Sequence, residues 1–155
     1  MSNKANWYKS YRSREFFIII DPPRTTHQAG NTIMRRKDGS LFIGQNQKAR
    51  RLAHKIATLL KPHAPATPYT GALALTIHWQ YPWRKSEPQY KRRLGCIPCT
   101  TRPDADNLAK LYLDAMAKAK FFKDDSQVFD LRFLKLYHEK PGIYCNMAEI
   151  DPAIL

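Results

Sequence analysis

Two aspartates separated by one residue open the stretch Arg102-Pro103-Asp104-Ala105-Asp106-Asn107; Lys110 follows, and a second acidic pair, Asp124-Asp125, arrives just after an amphipathic segment ends. Carboxylates crowded together repel, so a set such as Asp104, Asp106 and Asp125 stays together only with a cation between its members. Magnesium suits oxygen donors of this kind, because it keeps several waters and completes its shell with phosphate oxygens. Beside a phosphodiester such an ion polarises the phosphorus and holds the attacking water, while the Lys110 ammonium would stabilise charge growing in the transition state or orient the water. The chemistry these residue types predict is phosphodiester hydrolysis. A plainer reading uses the same residues: Asp106, Lys110, Asp114 and Lys118 are spaced four apart like a solvated helix face, Asp104 or Asp106 suits a helix cap, and Asp124-Asp125 suits a turn.

The acids stand out because the rest of the chain is basic. Residues 1–103 carry 19 lysines and arginines against 4 acids, a net of +15, whereas residues 104–155 carry 7 against 9, a net of −2. At 155 residues, 43% hydrophobic and 12% aromatic, the sequence is long and apolar enough for one domain with a real core. The formal charge of +13 therefore sits on a folded surface, and nucleic acid is the leading partner. A membrane partner is not expected: the basic residues do not line an apolar helix, and the longest apolar run, Phe16 to Ile20, falls far short of the roughly 20 residues needed to span a bilayer. The N-terminus has no hydrophobic signal core, and the cysteine count is three, so a cytoplasmic protein with reduced thiols is expected. No organic cofactor is expected.

The elements that must position the acids follow from pattern. Residues 1–14 predict a flexible basic arm, with order from Glu15 and one domain over 15–155. Phe16 to Ile20 predicts a strand stopped by Asp21-Pro22-Pro23. Asp38-Gly39 predicts a hairpin with a type I′ turn, and Asn46 a cap for a helix from Gln47 to Leu60. Leu73 to Tyr81 alternates like a strand with one buried face. Pro82 to Thr101 shows no period and predicts an exposed loop. Leu108, Leu111, Tyr112, Ala115, Met116 and Ala119 mark one face of a helix from Asp106, and strands are expected over Gln127 to Tyr137 and Ile143 to Ile150.

The segments Arg102-Pro103-Asp104-Ala105-Asp106-Asn107-Leu108-Ala109-Lys110, Leu113-Asp114-Ala115 and Phe122-Lys123-Asp124-Asp125-Ser126-Gln127-Val128 together resemble the RusA family of Holliday junction resolvases, with its R-x-D-x-D-N-x-x-K, D-A and D-D-x-Q parts at the same separations. Weaker similarity covers most of residues 15–150. The resemblance implies an α+β fold, a small mixed sheet packed with two main helices, in a homodimer that nicks opposing strands of a DNA four-way junction with Mg²⁺ or Mn²⁺. It also implies that Asp104, Asp106 and Asp125 are the essential metal-binding acids and Lys110 the essential lysine. Departures are the Arg24-Thr25-Thr26 that follows Pro23, the long Trp83 to Thr101 segment and the N-terminal arm.

Arg84, Lys85, Lys91, Arg92, Arg93 and Arg102 precede the acids and are the candidate contacts to the DNA backbone; Lys48, Arg50, Arg51 and Lys55 form a second basic group. Trp83 is expected to pack on the body, and Tyr90 could stack on opened bases. Cys96-Ile97-Pro98-Cys99 lacks the further ligands of a zinc site, and the histidines have no triad spacing. The alternatives to a junction resolvase are a nuclease for other branched DNA and a non-catalytic junction-binding protein.

Overall fold

The computed structural model describes residues 10–24, 31–45 and 47–151, without the side chains of 31, 32, 45 and 47–50. The expected cap Asn46 and residues 1–9 of the expected arm lie outside the described residues. Strands β1 (Ser10–Ile18), β4 (Leu73–Pro82), β5 (Cys96–Pro98), β6 (Val128–His138) and β7 (Gly142–Ile150) form a mixed sheet in the order β1-β7-β4-β6-β5. A separate ribbon pairs β2 (Asn31–Arg35) with β3 (Leu41–Gln45). Helices α1 (Gln47–Leu60) and α3 (Ala105–Lys118) are the two long ones, and α2 (Gln89–Arg92) is a single turn. This is the mixed sheet with two main helices that the sequence predicts.

Alternation places the core. Leu73, Leu75, Ile77, Trp79 and Tyr81 of β4 are buried with Ile143, Cys145 and Met147 of β7, together with Leu108, Leu111, Tyr112, Ala115 and Met116 of α3 and Ala53, Ile56 and Leu60 of α1. Strands β4 and β6 are parallel neighbours, Leu73 opposite Val128 and Pro82 opposite His138. Parallel neighbours cannot be joined by a tight turn, so the chain crosses back along the sheet between them, and α3 is the return leg.

Three expectations change. The expected arm does not run to residue 14, because Ser10 to Arg14 pairs with β7, from Ser10 opposite Ile150 to Arg14 opposite Met147. The hairpin turn is not type I′: Gly39 has φ +86° but Asp38 has no positive φ, and Gly39 N donates to Arg36 O at 3.0 Å, which is a type I turn followed by a glycine bulge. The Pro82 to Thr101 segment is no irregular loop; it contains α2 and β5, with Cys96 opposite His138 and Pro98 opposite Leu136.

The entry to β4 is pinned from two sides. Glu149, 3% exposed, accepts from Thr70 N at 3.0 Å and Gly71 N at 2.8 Å and pairs with Arg12 at 3.5 Å. The Gln127 side chain accepts from Lys123 N at 3.0 Å and Asp124 N at 3.3 Å, and donates to Tyr69 O at 3.0 Å and Gly71 O at 3.1 Å. That amide joins the start of β6 to the start of β4.

Gln127→Glu replaces the two donors facing Tyr69 O and Gly71 O with an acceptor. It is expected to lower unfolding free energy by about 2 kcal/mol in urea titration, since a half-buried acceptor facing carbonyls has no partner; an unchanged midpoint would refute the role given to this side chain. His78, packed beside Tyr144 with rings 4.9 Å apart, is held below the ordinary value of 6.5 first by burial and then by the charges of Arg132 and His138. A depressed imidazole is protonated first in the unfolded chain, so its share of stability is present above about pH 6.5 and is lost as pH falls through the folded-state value. His78→Gln should therefore lose less of its denaturation midpoint than the parent chain between about pH 7.5 and about pH 5.

Candidate active site

Asp104 is the residue before the first turn of α3, extended at φ −70° and ψ 147°, and its carbonyl accepts from Leu108 N at 3.2 Å. Its side chain makes no capping hydrogen bond. Asp106 sits in the first turn, where the helix dipole favours a negative charge, and Lys110 follows one turn later. All three side chains are exposed. Among the described residues no ion pair joins Asp106 to Lys110 or Asp114 to Lys118, so the plainer reading of a face laced with four-apart pairs is not realised.

What holds the start of α3 is Lys135 of β6. Its Nζ donates to Thr101 O and, at 2.7 Å, to Pro103 O, fixing the backbone just ahead of Asp104. The Arg102-Pro103 bond is cis. Nothing in the sequence singles out Lys135, a lysine alternating with apolar residues in a strand, and it is the positioning residue that sequence reasoning missed.

At the other end of α3 the two neighbouring aspartates have different surroundings. Asp124 Oδ1 accepts from Ser126 N at 2.8 Å, and with Gln127 it forms a capping box around the one-turn 3₁₀ helix Asp125–Gln127. The hydrogen bond to Ser126 holds the Asp124 carboxyl below the usual carboxylate range. Asp125 is exposed, and its carboxylate is not part of that capping box.

The expectation that Asp104, Asp106 and Asp125 share one pocket is not met within the single chain: among the described residues no three His, Cys, Asp or Glu side chains stand together as a metal-holding group. The crossover explains why. Asp104 directly follows the Pro103 carbonyl that Lys135 holds and Asp106 sits in the first turn of α3, whereas Asp125 lies just ahead of Val128, at the Tyr69 end, beyond the far end of this 14-residue helix of about 21 Å. The donors have the right chemistry for a hard cation and are exposed, but one chain does not gather them.

The basic segment splits into two groups. Arg84 donates to Glu87 Oε2 at 2.7 Å and lies 4.9 Å over the Tyr137 ring, Lys91 pairs with Glu87 at 3.4 Å, and Arg92 donates to Glu87 O and Arg84 O. The Arg84 hydrogen bond keeps the Glu87 carboxyl below its ordinary range. Lys85, Arg93 and Arg102 are exposed. Of the second basic group, Arg51 and Lys55 are exposed on α1, and the side chains of Lys48 and Arg50 lie outside the described residues. Trp83 packs against the core and donates to Glu139 Oε2 at 2.9 Å, while Tyr90 is 66% exposed.

Cys96, Cys99 and Cys145 are free thiols, the first exposed and the others buried; burial pushes Cys145 up to about 12. No helix among the described residues is long and apolar enough to cross a membrane.

The family model described as endodeoxyribonuclease RusA matches residues 22–148. The uncharacterized protein YqaN of Bacillus subtilis is 29% identical over 120 residues, 74% of this chain and 84% of that protein. The crossover junction endodeoxyribonuclease RusA of Escherichia coli K12 is 45% identical over 53 residues, 34% of this chain and 44% of that protein, and the enzyme of the same name from Enterobacteria phage 82 gives the same figures. The similarity to these named nucleases thus spans less than half of their length. With the matched model covering α3, the acidic turn and every strand of the sheet except β1 and the last two residues of β7, the chain belongs to the RusA endodeoxyribonuclease family.

Proposed function

We propose that this protein is a divalent-metal-dependent endonuclease that resolves four-way DNA junctions by paired phosphodiester hydrolysis, as a homodimer. The observation that carries the reading is that Asp104, Asp106, Asp125 and Lys110 are exposed and not used in caps or ion pairs, while their neighbours Asp124 and Lys135 are used structurally. Asp104, Asp106 and Asp125 would hold Mg²⁺ or Mn²⁺, which would supply a polarised phosphorus and a bound water. Lys110 offers an ammonium to the charge on the phosphoryl oxygens, and Lys85, Arg93 and Arg102 offer salt-sensitive contacts to the backbone. The role inferred is in DNA recombination and repair, where such junctions arise.

A dimer supplies what the single chain lacks. Strand β5 covers β6 only from Leu136 to His138, and among the described residues Asp130 to Leu134 have no strand on the side away from β4. Two copies pairing antiparallel along that edge, about a two-fold axis, bring the Asp125 end of one β6 beside the Asp104 end of the other. Leu131, 41% exposed on β6, supports burial there.

Asp104→Asn and Asp125→Asn are each expected to lower nicking of a labelled synthetic four-way junction by roughly a hundredfold or more while leaving binding intact or tighter. Mixing the two inactive proteins separates the assemblies. In a mixed dimer with sites built across the interface, one site loses both acids and the other keeps all of them, so single-strand nicking returns. No recovery after subunit exchange would sink the cross-interface site, and unchanged nicking by either variant would sink the assignment of these acids. EDTA should abolish cleavage, and flaps and linear duplex should be cut more slowly than junctions at equal concentration. Lys135→Met, which frees Pro103 O, is expected to cost about ten- to a hundredfold in nicking rate with little change in junction affinity, as a misplaced rather than missing acid would.

A further inference from the structure

One face of the sheet is covered by α1 and α3. The other carries rings in register across three strands: Phe17 of β1 is opposite Tyr144 of β7, and Tyr144 is opposite His78 of β4. The His78 and Tyr144 rings stand 4.9 Å apart at 42°. Gly142 makes room for this row, since a Cβ there would come within 2.4 Å of the Phe17 ring. With Gln80, His138 and Lys140 these side chains line an open cavity of about 510 Å³, a size ordinary for sites that take small organic groups.

The cavity has an unmet polar demand. Gln80 is only 7% exposed, and its Oε1 is buried with no hydrogen-bond partner among the described residues. An amide oxygen taken from water without a donor is costly, so a ligand whose N–H meets it once the amide turns toward the cavity is favoured. His138 Nδ1 already accepts from Lys140 N at 2.9 Å, which leaves the other ring nitrogen for a further contact. Lys140 is exposed and brings a positive charge to the rim. Pro82, opposite His138, leads directly into the basic segment that begins at Arg84.

A group that satisfies all of these is flat, carries an N–H donor, and is tethered to an anion. We propose that this cavity receives one unpaired nucleobase of a DNA strand, its face against Tyr144 and His78, a ring or amino N–H on Gln80 Oε1, and its phosphate toward Lys140. In duplex DNA the base faces are stacked on one another and cannot reach such a row. Aromatic side chains on an open sheet face bind single strands in this way. The cavity thus gives the protein a means of sensing opened bases, separate from any contact with backbone charge. The inference rests on DNA being the substrate, not on hydrolysis.

The test is fluorescence anisotropy in EDTA with three labelled probes: a 12-nucleotide oligo-dT strand, an abasic strand of the same length, and a duplex of the same length. Tyr144→Ala is expected to weaken oligo-dT binding by roughly five- to a hundredfold, the range found for loss of one base stack, and to leave the abasic strand and the duplex unchanged. Tyr144→Phe should bind as the parent does. Gln80→Met, which keeps the volume and removes the amide, should weaken oligo-dT alone by a few fold, and it serves where Tyr144→Ala does not fold. Equal loss on oligo-dT and the abasic strand, or no loss on oligo-dT from either variant, overturns the proposal. Because no metal is present, a protein that shows the base-dependent loss yet cuts no junction refutes the nuclease reading and leaves this one standing.

Discussion

The parallel pairing of β4 with β6 is the constraint from which the rest of the molecule follows. It obliges the chain to leave β4 at Pro82, return the length of the sheet, and begin β6 beside Leu73, and α3 is how it returns. The acids that define the motif flank that helix, so the same connection that orders them in sequence holds them apart in space. Gln127 and Lys135 lock the two ends of the crossover, one through carbonyls at the entry to β4 and the other through carbonyls ahead of Asp104. Each fixes an acid without being one. A separation imposed by topology within one chain is removed most directly by a second chain running the opposite way.

Local pattern was enough wherever burial alone decides. The α3 face of Leu108, Leu111, Tyr112, Ala115 and Met116 is buried as its spacing predicts, and so are the odd-numbered residues of β4. What was illegible depends on partners distant in sequence. Ser10 to Arg14 reads as a polar arm until β7 is laid beside it, and Cys96 to Pro98 is a strand only because His138 to Leu136 lies opposite. The hairpin turn was mistaken for a different reason: Asp38-Gly39 also fits a three-residue loop in which only the glycine needs positive φ. Gln80, on the polar side of the alternation, gave no sign of being buried, since its cover comes from the strands on either side of β4. For the site, residue types and their exposure were readable, whereas their mutual distance was not, because it is a property of the crossover and not of the motif.

The segment between β4 and the acids shows how a basic stretch is made rigid. Glu87 is the one acid between Asp38 and Asp104, and it gathers Arg84, Lys91 and, through its carbonyl, Arg92. Three cations are thereby tied to one residue at the α2 turn, with the Arg84 side chain still 48% exposed, and Lys85, Arg93 and Arg102 are exposed without that tie. Charge in this segment serves both folding and surface potential, with the division set by a single carboxylate.

The β2–β3 ribbon adds one more consequence. Its cross-strand pair Ile33 and Ile43 is exposed at 70% and 73%, and a bare two-stranded ribbon is marginal by itself in water. A chain of formal charge +13 keeps such greasy tips from meeting by mutual repulsion. In the proposed complex a polyanion would neutralise that repulsion, so occupancy of the nucleic acid and self-association of the polypeptide would be thermodynamically linked, each promoting the other.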